Sequence, residues 1–311
     1  MCLSNVKLRR GWGGTILLLL LFMGSCFKGD IKPPVFNENN AMYLLKRLVA
    51  FGNRPSGSEA NLRQAEYIAG TAEEYGANVV RQKFKQNTEL GNLQFFNVEA
   101  TIPGRKSDFI IIGSHFDTKK LPPNVKFEGA NDGASSTAVL LEMIRTIMKS
   151  NIVPEYTLKF VFFDGEECIT EYGDNDGLFG SKYYAGKLKE SGNIEKCRAV
   201  IVLDMVGDKD LNITIPSDSD KYLSEALFKA AEECGTRKYF SYFRSPILDD
   251  HMPFKDLGIP VIDLIDFNFG PGNSFWHTSQ DCVSNVSEKS LKIVGKTTLK
   301  MLFALNPAKN R

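Results

Sequence analysis

The sequence predicts an α/β fold of three layers, with a mixed, mostly parallel central sheet and helices on both faces. Two observations carry this expectation. Apolar runs of strand length alternate with longer segments of helical periodicity, the order produced when helices cross over between parallel strands. Several of these runs end abruptly in carboxylates and histidines, and in such sheets the ligand crevice lies outside the carboxyl ends of the strands.

From 38 to about 76 the apolar residues recur at helical spacing, as in Met42, Leu45, Leu48 and Val49, and Pro-Ser-Gly-Ser at 55–58 interrupts them. Two helices are expected there. Alternation over 79–84 and 93–100 predicts two neighbouring strands able to form a hairpin. An apolar strand over 108–114 ends in Ser-His-Phe-Asp, and a helix over 135–149 carries Val139, Leu140, Met143, Ile144 and Ile147. The strand at 157–163 runs into Asp-Gly-Glu-Glu and precedes a helix at 178–190. A strand at 198–203 ends in Asp-Met-Val-Gly-Asp and precedes a helix at 221–234. A strand at 259–264 and a long amphipathic helix at 287–305 complete the pattern, and 38–311 reads as one domain.

With 43% hydrophobic and 24% charged residues in 311, the chain can bury a sizeable core. Its 38 basic and 37 acidic residues nearly cancel. No field of one sign exists to hold nucleic acid. The N-terminus is different: Lys7, Arg9 and Arg10 precede an apolar run over 16–23, then Gly24-Ser25-Cys26. Basic, apolar and small residues in that order predict an export signal over 1–25, since the run is short of the ~20 residues a spanning helix needs. Cys26 after Met-Gly-Ser resembles a bacterial lipobox and is the expected lipidation site, holding the protein to a bacterial membrane, periplasmic or cell-surface, by its lipid alone. A plain signal peptide with an incidental cysteine is the simpler alternative. Residues 26–37, with two prolines and Gly29, read as a tether. Export would place Cys168, Cys197, Cys234 and Cys282 where disulfides can form, in any of three pairings, and four free thiols are the competing expectation.

The chain has three histidines, His115, His251 and His277, each in a strand-end or loop segment dense in carboxylates. Imidazoles and carboxylates gathered in this way are the donor set of a zinc site. His115 and Asp117, two residues apart at a strand end, can share a side, one ligating and the other orienting it. Asp132 precedes a helix, where it could be a cap, but Ser135 and Ser136 could cap instead and Gly133 and Ala134 leave room for a metal or substrate. Glu166 and Glu167 are expected to point apart, one as ligand and one as general base and acid. Asp204 ends a further strand, Asp249-Asp250-His251 precedes a short helical stretch, and Trp276 beside His277 either walls a pocket or packs in the core.

Taken together, Ser-His-Phe-Asp-Thr, Asn-Asp-Gly-Ala-Ser, Phe-Phe-Asp-Gly-Glu-Glu, Leu-Asp-Met-Val-Gly and Trp-His-Thr resemble, in the same order, the superfamily of zinc aminopeptidases and animal-type glutaminyl cyclases. The resemblance runs from residue 38 onward. The aminopeptidase branch implies two zinc ions on His115, Asp132, Glu167, Asp204 and His277, with Asp132 bridging and Glu166 as general base. The cyclase branch implies one zinc on Asp132, Glu167 and His277, with Glu166, Asp204 and Asp249 handling protons. It also implies substrate contacts by Trp276, Tyr172, Phe275 and His251. The cyclase branch is resembled more closely around 166–182, in Asp-Asp-His-Met-Pro-Phe followed by Gly-Ile-Pro-Val, and in Phe-Trp-His-Thr before Asp281. Asn131-Asp132-Gly133 follows the aminopeptidase wording, and Tyr172 stands where the cyclase wall residue is usually tryptophan. The expected activity is cyclisation of N-terminal glutamine in peptides to pyroglutamate, with di-zinc aminopeptidase action as the alternative. A binding module that has lost catalysis fits poorly, because Glu166 and every candidate ligand are present.

Overall fold

Helices begin where a side chain can accept from an otherwise unpaired first-turn amide. In the computed structural model, which describes residues 33–122, 124–173 and 175–305, Asn37 caps α1 (Glu38–Val49) and Ser58 caps α2 (Glu59–Glu74), each accepting an amide at 3.1 Å. The alternating segments that follow form a hairpin of β1 (Asn78–Thr88) and β2 (Gly91–Ile102), paired along their full length. Then come β3 (Lys106–His115), α3 (Ala134–Ser150), β4 (Tyr156–Phe163), α4 (Phe179–Glu190) and β5 (Cys197–Asp204). The chain continues through β6 (Ile213–Ile215), α5 (Lys221–Glu233), β7 (Phe240–Tyr242), α6 (Met252–Lys255), β8 (Val261–Ile265) and α7 (Glu288–Ala304).

The strands make one eight-stranded sheet in the order β1-β2-β4-β3-β5-β8-β6-β7. Its centre, β4-β3-β5-β8, is parallel, and antiparallel pairings join β2 to β4 and β6 to β8. Successive side chains of a strand face opposite ways. Ile110 and Ile112 of β3 accordingly pack on one face with residues of α1, α2, α3, α5 and α7, while Phe109 and Ile111 pack on the other with α4 and α6. The three layers expected from the sequence are therefore present, with every described residue in one compact unit.

Two expectations are corrected, the strand count and the tether. The strands β6 and β7 were not foreseen, because three residues are too few to display a period of two. The export signal over 1–25 and Cys26 lie outside the described residues. Of the segment read as a tether, 33–37 is described and is packed: Phe36 is only 3% exposed and lies over Gly295, where a Cβ would come 2.2 Å from its ring. The four described cysteines are free thiols. Among the described residues, no helix is long and apolar enough to cross a membrane.

Candidate active site

The sheet order brings the carboxyl ends of β4, β3, β5 and β8 side by side, and each continues into a segment that carries part of the site. His115 is the last residue of β3, Asp204 the last of β5, and Glu166 and Glu167 follow β4. Asp132 lies just ahead of α3, Asp249 ahead of α6, and His277 in the loop after β8. The start of α3 has no side-chain cap, so neither Asp132 nor the two serines serve that purpose. Gly133 makes this approach possible. It has φ 86°, and a Cβ there would meet the Asp117 carbonyl at 2.6 Å and the His115 ring at 3.3 Å. His277 itself has φ 54°, a left-handed conformation that costs free energy in a non-glycine residue and is found where function fixes the backbone.

Asp132 is the shared centre of two donor groups. Its Oδ1 lies 3.1 Å from His115 Nε2, which is also 3.1 Å from Asp204 Oδ1. Its Oδ2 lies 3.3 Å from His277 Nε2, which is 2.9 Å from Glu167 Oε1. In each group, His115-Asp132-Asp204 and Asp132-Glu167-His277, one donor atom from every member lies within 4.8 Å of the others. Imidazole nitrogen with carboxylate oxygen suits zinc, and the buried Asp132 Oδ2 has no hydrogen-bond partner, so the residues fit that ion. Asp117 stands behind both groups, 3.6 Å from His115 Nδ1, and accepts the amides of Glu166 and Glu167 at 3.2 and 3.3 Å.

Glu166 and Glu167 do not point apart as expected. Gly165 (φ 77°) turns the chain out of extended geometry, and both carboxylates face one cavity of about 320 Å³. The Tyr172 hydroxyl lies 3.1 and 3.2 Å from the Glu166 oxygens and 3.3 Å from Glu167 Oε2. Asp132, Asp204, Asp249 and Trp276 also line this cavity. Its remaining wall is apolar, built by Phe243, Ile247, Leu248 and Phe267 among others.

Burial in this setting pushes Glu166 well above the usual carboxylate range, with Glu167, Asp249 and Asp250 adding to it against the pull of His115. Burial and the nearby Asp132 raise Glu167. Burial, reinforced by Asp249 and Asp132, lifts Asp204 to about 7 despite its bond to His115. At His277 burial disfavours the charged ring, yet Asp132 and Glu167 outweigh it and raise the group to about 10. His115 is lifted in the same way by Asp117, Asp132 and Asp204. Burial also works against ionisation of Asp132, but the two imidazoles hold it far below its ordinary value. The pattern is that of a pocket with excess negative charge, in which protonated imidazoles occupy the role a divalent cation would fill.

The structure thus brings together His115, Asp132, Glu166, Glu167, Tyr172, Asp204, Asp249, Trp276 and His277. Two expected substrate contacts are not met. His251 is fully buried behind the cavity, and Phe275 packs edge-on against Phe269, outside the cavity lining, because the turn at Gly270 directs its ring there. Supporting residues escaped the sequence reading. Arg54, fully buried, donates to the carbonyls of Phe116, Glu128 and Gly129, and Asp281 accepts the amides of Asn131 and Asp132 at 2.6 and 3.2 Å. Lys119 donates to the Cys168 carbonyl at 2.6 Å and stands 3.9 Å from Glu167. The apolar rim at Phe243, Ile247 and Leu248 lies in a segment without periodicity; the carboxylate of Asp263 inside an apolar strand was the one available signal.

Comparison with known proteins agrees with this geometry. The profile of peptidase family M28 matches residues 97–302. A mouse (Mus musculus) protein named glutaminyl-peptide cyclotransferase-like protein is 29% identical over 261 residues, 75% of this chain and 67% of the relative. The solved structure of Acidobacteriales bacterium glutaminyl cyclase superposes with a TM-score of 0.83 at 31% identity, covering 88% of this chain and 96% of that one. A Zn-dependent exopeptidase from Parabacteroides distasonis superposes with a TM-score of 0.78 at 26% identity, covering 88% of this chain and 100% of its own.

Proposed function

Because this chain belongs to peptidase family M28, we propose that its cavity cyclises the N-terminal glutamine of peptides to pyroglutamate with release of ammonia, as a zinc-dependent glutaminyl-peptide cyclotransferase. The observation that carries the reading is that Glu166 and Asp249 line the same cavity as Asp132 and Glu167. A carboxyl group with raised proton affinity stands beside a donor group suited to one zinc ion. The similarity to glutaminyl cyclases over nearly the whole of their length supports it.

Asp132, Glu167 and His277 would hold the zinc, which when bound supplies Lewis-acid polarisation of a carbonyl oxygen. The chain's own residues do the rest. The apolar wall of Phe243, Leu248, Phe267 and Trp276 would seat the N-terminal residue of the peptide, and Glu166 in the same cavity is placed to accept a proton from its amine. The amine nitrogen bonds to the side-chain amide carbon, and the bond from that carbon to the amide nitrogen breaks. Glu166 takes the proton from the attacking nitrogen and gives it to the departing ammonia. Asp249 adds negative charge that raises the proton affinity of Glu166, and Tyr172 holds its carboxylate. Attack within one molecule starts from a high effective molarity, so a water nucleophile is not required.

One feature favours the second reading, hydrolysis of N-terminal residues with two zinc ions. The group His115-Asp132-Asp204 shares Asp132 with the first. Incubation with a peptide bearing N-terminal glutamine, with ammonia release and zinc content measured together, separates the two. Cyclisation with about one zinc per chain supports the proposal. Free amino acid with two zinc ions supports aminopeptidase action. The chain's export and lipidation at Cys26 also belong to this proposal, resting on the order of basic, apolar and small residues ahead of it. Cys26→Ala should move the protein from the membrane to the soluble fraction.

A further inference from the structure

The side chains that line the cavity are sorted by depth. At its floor Asp132, Glu166, Glu167 and Asp249 are all buried. At its mouth the lining is apolar and open to solvent: Phe243 is 37%, Leu248 50% and Phe267 38% exposed, with Pro246 and Ile247 between the first two. Single exposed apolar side chains are ordinary on a protein surface, but three around one opening make a patch that a ligand can cover.

This mouth is held in shape. Phe243 directly follows β7, and its amide donates to the Ile215 carbonyl at 2.8 Å. The Ser217 amide donates to the Ser245 carbonyl at 3.2 Å, so 243–245 are fastened to the chain leaving β6. At the other end of the segment, the Asp249 carbonyl accepts the Met252 amide at 2.9 Å, at the start of α6. Phe267, after β8, is braced edge-on by Trp276 with ring centres 5.1 Å apart. A surface already ordered in this way loses little conformational freedom when it is covered.

The occupant follows from the reaction. Only the first residue of the peptide reacts, and its amine and side-chain amide must both reach the buried floor beside Glu166. The peptide then runs outward, and one extended residue advances it by about 3.3–3.6 Å, which carries the second side chain toward the mouth. The inner faces of the apolar side chains meet the N-terminal residue, and their exposed faces are left for the next one. Among the lining residues none is cationic, and Arg244, exposed in the same segment, stands outside the lining. An acidic second residue would therefore meet apolar groups at the mouth and carboxylates below it.

We propose that Phe243, Leu248 and Phe267 form a subsite for the residue that follows the N-terminal glutamine and select an apolar side chain there. For the identity of the first residue, this subsite rests on the cyclotransferase reading.

Peptides that begin Gln-Leu, Gln-Gly or Gln-Asp and are otherwise identical test it on the zinc-loaded full chain. kcat/KM for pyroglutamate formation should be about 5–10-fold higher with leucine than with glycine, part of what complete burial of a leucine side chain would give, and lowest with aspartate. The gain should lie in KM with kcat nearly unchanged, because the subsite is remote from the bonds that form and break. Phe243→Ser combined with Leu248→Ser, both at exposed positions, should bring the leucine-to-glycine ratio close to one. Calorimetric titration of the same peptides into Glu166→Gln protein gives their Kd without turnover and should show the same order. Equal kcat/KM for the leucine and glycine peptides, or a ratio unchanged by the double substitution, overturns the subsite and leaves the cyclotransferase reading standing. If no pyroglutamate forms, the cyclotransferase reading fails and the Kd values decide: tighter binding of the leucine peptide supports the subsite, and equal Kd overturns it.

Discussion

The Tyr172 hydroxyl lies 3.1 Å from Oε1 of Glu166 and 3.2 Å from its Oε2, so one phenol spans the carboxylate assigned to proton transfer. Its ring is seated against Gly177, where a Cβ would meet it at 2.7 Å, and beneath the Lys119 ammonium, 5.5 Å from the ring centre. Loss of a hydrogen bond to a charged group costs about 1.5–3 kcal/mol. Tyr172→Phe should therefore lower kcat by roughly 10-fold or more, with zinc content unchanged. Steady-state kinetics with metal analysis checks this, and an unaltered kcat would remove Tyr172 from the positioning of Glu166.

Substituting Glu166 itself is more severe. Glu166→Gln keeps the shape of the side chain but cannot carry a proton, and a positioned general acid–base group contributes about 10²–10⁴-fold. Turnover should fall by that factor while zinc stays bound, because Glu166 belongs to neither of the donor groups on Asp132. Retained turnover would show that another group moves the proton.

Gly133 tests the backbone approach that seats Asp132. A methyl group there meets the Asp117 carbonyl at 2.6 Å in a left-handed conformation. Gly133→Ala should cost about 1–3 kcal/mol in stability and weaken zinc binding through displacement of Asp132. Denaturant melts and zinc titration measure both, and a variant with native stability would contradict the close packing described.

The metal-free protein should lose stability as pH rises. Burial lifts Asp164 to about 7, Asp266 to about 7 and Asp281 to about 8, so the folded state holds protons that the unfolded chain has already released above its ordinary carboxylate value near 4. Stability therefore declines from about pH 4 upward until those folded-state values are passed. Thermal melts of chelator-treated protein should show a falling Tm between pH 5 and pH 9, with zinc raising Tm most at the alkaline end. A Tm that rises with pH in the metal-free protein would contradict the description of these carboxyl groups.

Much of this was legible in the sequence because the physics was local. Apolar runs such as 108–114 and 198–203 can only be buried strands, and His115 and Asp204 end those strands, so their meeting at a sheet edge followed. Other features depend on contacts remote in sequence. Nothing near Phe275 signals that Gly270 lets its ring turn toward Phe269, and nothing near His251 signals that Asp218 and Asp263 enclose it. The paired direction of Glu166 and Glu167 depends on the left-handed turn at Gly165, which the assumption of extended backbone hid. The apolar rim from Phe243 to Leu248 follows a strand too short to leave a pattern.

In the proposed reaction the peptide's own amine, not water, attacks the carbonyl. The direct measurement is a reaction on a peptide with N-terminal glutamine in water enriched in heavy oxygen, read by mass spectrometry. Cyclisation predicts a product lighter by one ammonia and carrying no heavy oxygen. A shortened peptide, with heavy oxygen in the carboxylate of the released residue, would contradict it.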